Sequence, residues 1–289
     1  MKLKVAEIFY SVQGEGKWAG VPSVFLRTFG CNFQCRGFGM PYGGASLNTE
    51  PEQIAERVAE FKTYDELPLV SKGCDSYASW HPKFKHLSPM LENTEVQKGM
   101  EKLIPNNTWT QDNLSDVHLV ITGGEPLLGW QRSYPELLDS CMANGLQNIT
   151  FETNGTQALT EDFKSWLKDT WYEQRGYQAM TFSVSAKLPV SGEKWSEAIL
   201  PDVVVEYEKY GYCYLKFVVA TEQDVKDVDR AVELYREAGF KGPVYLMPVG
   251  GLPEDYHLNT AQVAELAMEK GYRYSPRLQV DIWRNAWGT

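Results

Sequence analysis

The sequence predicts an α/β fold, an incomplete (β/α)6 barrel on a parallel sheet. Short apolar runs rich in β-formers alternate with capped amphipathic segments, the pattern of strands joined by crossover helices. Six such units can be counted, two short of a full barrel. With 289 residues and 43% hydrophobic content, the chain is large enough to close one sizeable core.

The first predicted strand covers 23–29, where Val24, Phe25 and Leu26 precede Gly30. The stretch 36–73 reads as an insertion with its own helix, because Thr49 can cap it, Pro51 suits a first turn, and Ile54, Val58 and Phe61 recur at helical steps. Residues 81–116 are polar with weak periodicity and read as an irregular surface excursion. Strands are then expected at 117–122, 149–153, 180–185, 213–220 and 244–247. A helix over 133–144 is stopped by Gly145, and one over 222–238 carries Val225, Val228, Val232 and Tyr235 on one face. Repeats and low-complexity tracts are absent from the sequence, so 1–289 reads as a single domain.

Composition narrows the function. A net charge of −10 without a basic cluster argues against a nucleic-acid partner and for a small-molecule substrate. No apolar run approaches membrane-spanning length, and no signal-peptide pattern is visible. Five cysteines, an odd number, do not suit a secreted disulfide framework, so a cytoplasmic location is expected.

Three of those cysteines are the most informative residues. Cys31 and Cys35 lie in Gly30-Cys31-Asn32-Phe33-Gln34-Cys35, and Cys74 opens Cys74-Asp75-Ser76-Tyr77. A [4Fe–4S] cluster held by three thiolates keeps one iron open to a chelating substrate such as S-adenosylmethionine. The usual spacing is C-x-x-x-C-x-x-C, and here Phe38 occupies the third position. An ordered insertion that brings Cys74 back to Cys35 restores the triad; the alternative is that Cys74 is an ordinary buried thiol. Cys141 and Cys213 fall in apolar helix and strand patterns and are expected in the core.

In parallel α/β proteins the chemistry gathers at the carboxyl ends of the strands. The loop Thr122-Gly123-Gly124-Glu125-Pro126 offers close backbone approach and acceptors for an ammonium group. Glu152-Thr153-Asn154-Gly155-Thr156 offers a carboxylate for ribose hydroxyls, and Ser183-Val184-Ser185-Ala186-Lys187 two hydroxyls and a lysine. Each alone can be a plain turn, but together they stand on three successive predicted strands.

With these residues in view, the chain resembles the radical S-adenosylmethionine enzymes, and more narrowly the 7-carboxy-7-deazaguanine synthases. The narrow likeness rests on Glu7-Ile8-Phe9-Tyr10-Ser11-Val12-Gln13-Gly14-Glu15-Gly16, Gly20-Val21-Pro22, Phe25-Leu26-Arg27 and Gly30-Cys31-Asn32. It resumes at Cys74-Asp75-Ser76 through Trp80, at the two glycine-containing loops, at Lys216-Phe217-Val218-Val219 and at Leu246-Met247-Pro248.

The resemblance implies reductive cleavage of S-adenosylmethionine to a 5′-deoxyadenosyl radical. That radical abstracts hydrogen from 6-carboxy-5,6,7,8-tetrahydropterin, whose ring contracts and loses ammonia on the route to queuosine and related 7-deazapurines. By the same resemblance Cys31, Cys35 and Cys74 bind the cluster, and Gly124, Glu125, Glu152, Ser183, Ser185 and Lys187 hold S-adenosylmethionine. Gln13, Gly14, Glu15 and Arg27 hold the pterin, and Ser76 is a ligand to Mg²⁺. A flavodoxin or ferredoxin as reductant and a homodimer, with Trp283 and Trp287 at its interface, are also implied. The chain departs from the family pattern in its expanded cluster loop, in Ser76 for a threonine and in Ala186 for a proline. It also has Gln279-Val280-Asp281-Ile282 in place of Gln-Thr-His-Lys, and 283–287 is expected to supply the substitute for that histidine. Two rivals are an activating enzyme acting on a partner protein and a cluster-less remnant that binds S-adenosylmethionine.

Overall fold

The computed structural model describes residues 1–41, 48–111 and 116–289. Nine strands form one sheet: β1 (Lys2–Val12), β2 (Pro22–Thr28), β3 (Met90–Glu92), β4 (His118–Gly123), β5 (Ile149–Thr153), β6 (Met180–Val184), β7 (Tyr212–Val219), β8 (Val244–Pro248) and β9 (Arg273–Tyr274). Their order is β3-β1-β2-β4-β5-β6-β7-β8-β9. From β2 to β9 every neighbouring pair is parallel, whereas β1 runs antiparallel to both β2 and β3.

The six expected strands correspond to β2 and β4 to β8; β1, β3 and β9 are additional. β1 escapes a search for alternation because its pairing with β2 shifts register between Val5 and Glu7, which breaks the period of two. The helix Tyr134–Ala143 ends before Gly145 at φ 99°, and Glu222–Glu237 starts from a capping box of Thr221 and Asp224. Val225, Val228, Val232 and Tyr235 are all buried against the sheet, and so are Cys141 and Cys213.

The segment 81–116 differs from expectation. Its described part contains β3 and a helix, Asn93–Glu101, which buries Val96 and Met100 in the main core. The helix begins with a capping box in which glutamate, Glu92, takes the place usually held by serine or threonine, with Glu95 as its reciprocal partner. Residues 112–115 of this segment and 42–47 of the insertion lie outside the described residues.

Strand side chains divide by parity. Leu215 and Phe217 join the core, while Lys216 and Val218 face a cavity on the other side of the sheet. The β1–β2 connection crosses that inner face: Gln13 is tied to Val21 before β2 (N–H to O, 2.8 Å), yet Gly16 N–H donates to Ser275 Oγ beyond β9 at 2.9 Å. Six strand steps span about 29 Å in a flat sheet, whereas three residues of chain reach about 10 Å. The sheet is therefore strongly curved, and the cavity lies on its concave side.

Candidate active site

The insertion is tied closed at its base. Gly73 N–H donates to the carbonyl of Phe38 at 2.8 Å, so the residue in the usual third-cysteine position is bonded to the residue preceding Cys74. The helix Glu50–Glu56 pins both arms. Glu50 accepts from Ser71 N–H (2.6 Å) and Ser71 Oγ (2.7 Å), and Glu52 accepts from Arg36 (2.7 Å). Thr49 stands at its cap position with Pro51 in the first turn, but the helix stops at Glu56, short of Val58 and Phe61.

All three cysteines line the cavity, and Cys31, Cys35, Cys74 and Phe38 belong to one apolar cluster. Burial pushes the Cys31 thiol up to about 12 and the Cys74 thiol up to about 11, and raises Cys35 well above the ordinary thiol range. Cys31 and Cys35 each feel Cys74 as a further repelling charge. Alone these are neutral thiols; a bound metal centre would compensate the thiolates. Among the described residues no three His, Cys, Asp or Glu side chains converge as for a single metal ion. Three thiols on one cavity wall are the donor type that a four-iron cluster takes, one thiolate to each of three irons.

Next to the cysteines the cavity is walled by the strand-end loops. A Cβ on Gly124 would lie 2.4 Å from the Gly30 carbonyl oxygen and 2.6 Å from the Cys31 Cβ, so only glycine allows that loop to seat on the cysteine loop. Glu152 faces the cavity and accepts from Gln13 Nε2 (3.0 Å) and Thr122 Oγ1 (3.0 Å). Lys187 donates to Ser185 Oγ at 3.1 Å, and both line the cavity.

One expected ligand of S-adenosylmethionine is placed elsewhere. Glu125 is fully buried and not on the cavity wall; it accepts from Thr153 Oγ1 (2.8 Å), Asn154 N–H (2.6 Å) and Leu127 N–H (3.0 Å). Burial raises its carboxyl to about 7 despite those donors. It clamps the β4 and β5 loops together. Ser183 is buried on the same face of β6 as the cavity-facing Glu152 beside it on β5, while its neighbours Phe182 and Val184 face the core.

The charged end of the cavity, which begins at Asp75 and Ser76 directly after Cys74, is continuous. Glu7 accepts from Arg27 Nε (2.9 Å), Arg27 donates to Ser76 Oγ (3.2 Å), Ser76 Oγ donates to Asp75 (3.3 Å), and Asp75 accepts from Arg277 (2.6 Å). Arg277 then donates to Glu15 (3.3 Å), which is also bonded to Lys216 and to Gln279 Nε2 (2.8 Å). Burial by itself would raise the Glu15 carboxyl, but Lys216 and Arg277 outweigh it and hold it down to about 2. Asp75 is lowered too, its burial outweighed by Arg277. Gln13 orients Glu15 by accepting its N–H at 3.0 Å, and Gly14 packs on Gln279 with no room for a Cβ.

Ser76 would be a lone protein ligand to Mg²⁺, its neighbour Asp75 being held by Arg277. Mg²⁺ keeps several waters and takes substrate oxygens readily, so it fits here only as part of a substrate complex.

The chain is 30% identical over 299 residues to the 7-carboxy-7-deazaguanine synthase of Halobacterium salinarum, covering 98% of this chain and 91% of that protein. The chain belongs to the 7-carboxy-7-deazaguanine synthase family. The Pyrobaculum aerophilum member is 28% identical over 288 residues, with 99% and 97% coverage. The crystal structure of QueE from Escherichia coli shares the fold, with a TM-score of 0.53, 18% identity and coverage of 95% and 93%. No family model matches the chain.

Within this family member, sequence reasoning missed Lys216, Asp75, Arg277 and Gln279 as site residues. Lys216 did carry a signal, a lysine in the middle of an apolar strand, which requires a buried partner. Arg277 carried none, since its partners lie 202 and 262 residues away. Of 283–287, Asn285, Ala286 and Trp287 line the cavity, turned there by left-handed conformations at Arg284 and Asn285. Trp287 packs on Tyr64 and Tyr77 and donates to the Leu67 carbonyl at 2.9 Å, so it ties the C-terminal segment to the insertion. Among the described residues no helix is long and apolar enough to cross a membrane.

Proposed function

We propose that this chain converts 6-carboxy-5,6,7,8-tetrahydropterin to 7-carboxy-7-deazaguanine with loss of ammonia, as a carbon–nitrogen lyase of queuosine-type 7-deazapurine biosynthesis. The scaffold is a single incomplete (β/α)6 barrel of the radical S-adenosylmethionine type. The observation that carries this reading is one cavity with three cysteines at one end and the Arg27–Glu15 charged chain at the other, in a member of that family.

A [4Fe–4S] cluster on Cys31, Cys35 and Cys74 and bound S-adenosylmethionine supply, once reduced, a hydrogen-abstracting radical. The protein's own residues do the positioning. Gly124 presents backbone to the S-adenosylmethionine amino acid end, Glu152 accepts from its ribose, and Ser185 and Lys187 hold its carboxylate. Gln13, Gly14 and Glu15, backed by Lys216 and Gln279, meet the donors and acceptors of the pterin edge. Arg27 pairs with the substrate carboxylate, and Ser76 would hold Mg²⁺ beside the substrate. Trp287 and the insertion exclude water. A flavodoxin or ferredoxin as electron donor, a homodimer and a cytoplasmic location complete the reading; family likeness supports the first two and the absence of a secretory pattern the third.

The test is anaerobic reconstitution with iron and sulfide, followed by S-adenosylmethionine, dithionite, Mg²⁺ and the carboxytetrahydropterin. Mass spectrometry should find both 5′-deoxyadenosine and 7-carboxy-7-deazaguanine. 5′-Deoxyadenosine alone would discard the substrate, and neither product from fully iron-loaded protein would discard the function.

A further inference from the structure

The loop after β6 touches the cysteine loop at a point that no role above explains. Glu193 Oε1 accepts two backbone N–H groups, from Gln34 at 2.8 Å and from Cys35 at 2.7 Å. Cys35 has φ 50°, a left-handed conformation that a residue with a Cβ rarely adopts without external support. The carboxylate is itself held in place. Glu193 N–H donates to Ser191 Oγ (3.2 Å), which donates to the Leu188 carbonyl (2.7 Å) in a turn where Ser191 is fully buried. Gly37 N–H donates to the Ser191 carbonyl at 2.8 Å, and a Cβ on Gly37 would lie 2.5 Å from Gly192 N, so the two loops meet backbone to backbone. Lys187, which lines the cavity, opens the same loop.

We infer that Glu193 is a positioning residue that holds Cys35 in its ligating conformation and lowers the reduction potential of the cluster. The inference rests on the cluster reading above. Hydrogen bonds to cluster sulfurs raise the potential; the two N–H groups around Cys35 are instead committed to a carboxylate. Its negative charge beside Cys35 also disfavours the added electron. Both effects make the reduced cluster a stronger donor toward S-adenosylmethionine. One electron from a low-potential donor takes the cluster from the 2+ to the 1+ state, and Glu193 itself is unchanged by it.

The test compares wild type, E193Q, E193A and the exposed-carboxylate control E265Q, each reconstituted anaerobically, by iron content and by a redox titration followed by electron paramagnetic resonance. E193Q keeps an acceptor and loses the charge. It should hold wild-type iron, while the ratio of reduced to oxidised cluster at a fixed potential rises about tenfold, a shift of about 59 mV upward for a one-electron couple. E193A should lose iron with an unchanged far-ultraviolet circular dichroism spectrum, and E265Q should match wild type. An iron-loaded E193Q with the wild-type potential overturns the inference, as does an E193A that loads fully at that potential. A wild type that takes up no iron overturns the cluster reading and the inference together.

Discussion

The two ends of the cavity solve opposite problems. At the cysteine end, burial outweighs the attraction of Lys187, and the thiols are driven far from ionisation. At the other end Glu15 and Asp75 are only partly shielded, their side chains 13% and 35% exposed, and they stay charged because Lys216 and Arg277 are bonded to them. Under the proposed function a bound cluster would supply the compensating charge at the first end, whereas the second is compensated within the polypeptide. Substituting a residue at the first should therefore abolish chemistry without unfolding the chain, and substituting one at the second should cost stability as well as recognition.

The largest expected effect is at the metal end. Cys74→Ala should lose both the cluster and 5′-deoxyadenosine formation while the cluster-free chain melts near wild type, measured by iron content, product analysis and thermal denaturation. Next comes Arg277→Leu, which removes the partner of the partly exposed Asp75 and one of two cations on Glu15, and should destabilise the cluster-free protein by about 1–3 kcal/mol in urea denaturation. A smaller effect concerns pH. The folded-state carboxyl of Glu15 lies at about 2, below its reference value of 4.5, so its contribution is fully present above pH 4.5 and is lost as pH falls toward 2. Glu15→Gln should flatten that acid limb in equilibrium unfolding. The smallest effects separate two serines of one motif. Ser185→Ala should raise the KM for S-adenosylmethionine, whereas Ser183→Ala, whose side chain on the same face is fully buried, should raise it less.

The contrast between the ends also explains what was legible. Cysteines and glycines announce themselves, because few other residues do what Cys31 or Gly124 does, and their motifs are local. The β2 and β4 to β8 strands were legible for the same reason, each being a short apolar run between turns. The charged end is assembled from β1, β7, the cysteine loop and 277–279, and no local pattern records that assembly. Arg27 and Glu15 were visible through family likeness, but their buried partners were not. Glu125 marks the reverse error: a motif names residue types, and only the fold decides where each side chain turns. Glu125 serves its own loops, while neighbouring Gly124 serves the cavity.

The most direct measurement is the molar ratio of 7-carboxy-7-deazaguanine to 5′-deoxyadenosine in wild type, Cys74→Ala and Arg27→Lys under identical anaerobic conditions. Cleavage assigned to one end and recognition to the other predict that Cys74→Ala makes neither product. Arg27→Lys keeps a positive charge beside Glu7 but loses the planar fork. It should still form 5′-deoxyadenosine while the ratio falls about 10- to 100-fold. A Cys74→Ala protein that still cleaves S-adenosylmethionine, or an iron-loaded Arg27→Lys protein that loses both products in step, would contradict this division of the cavity.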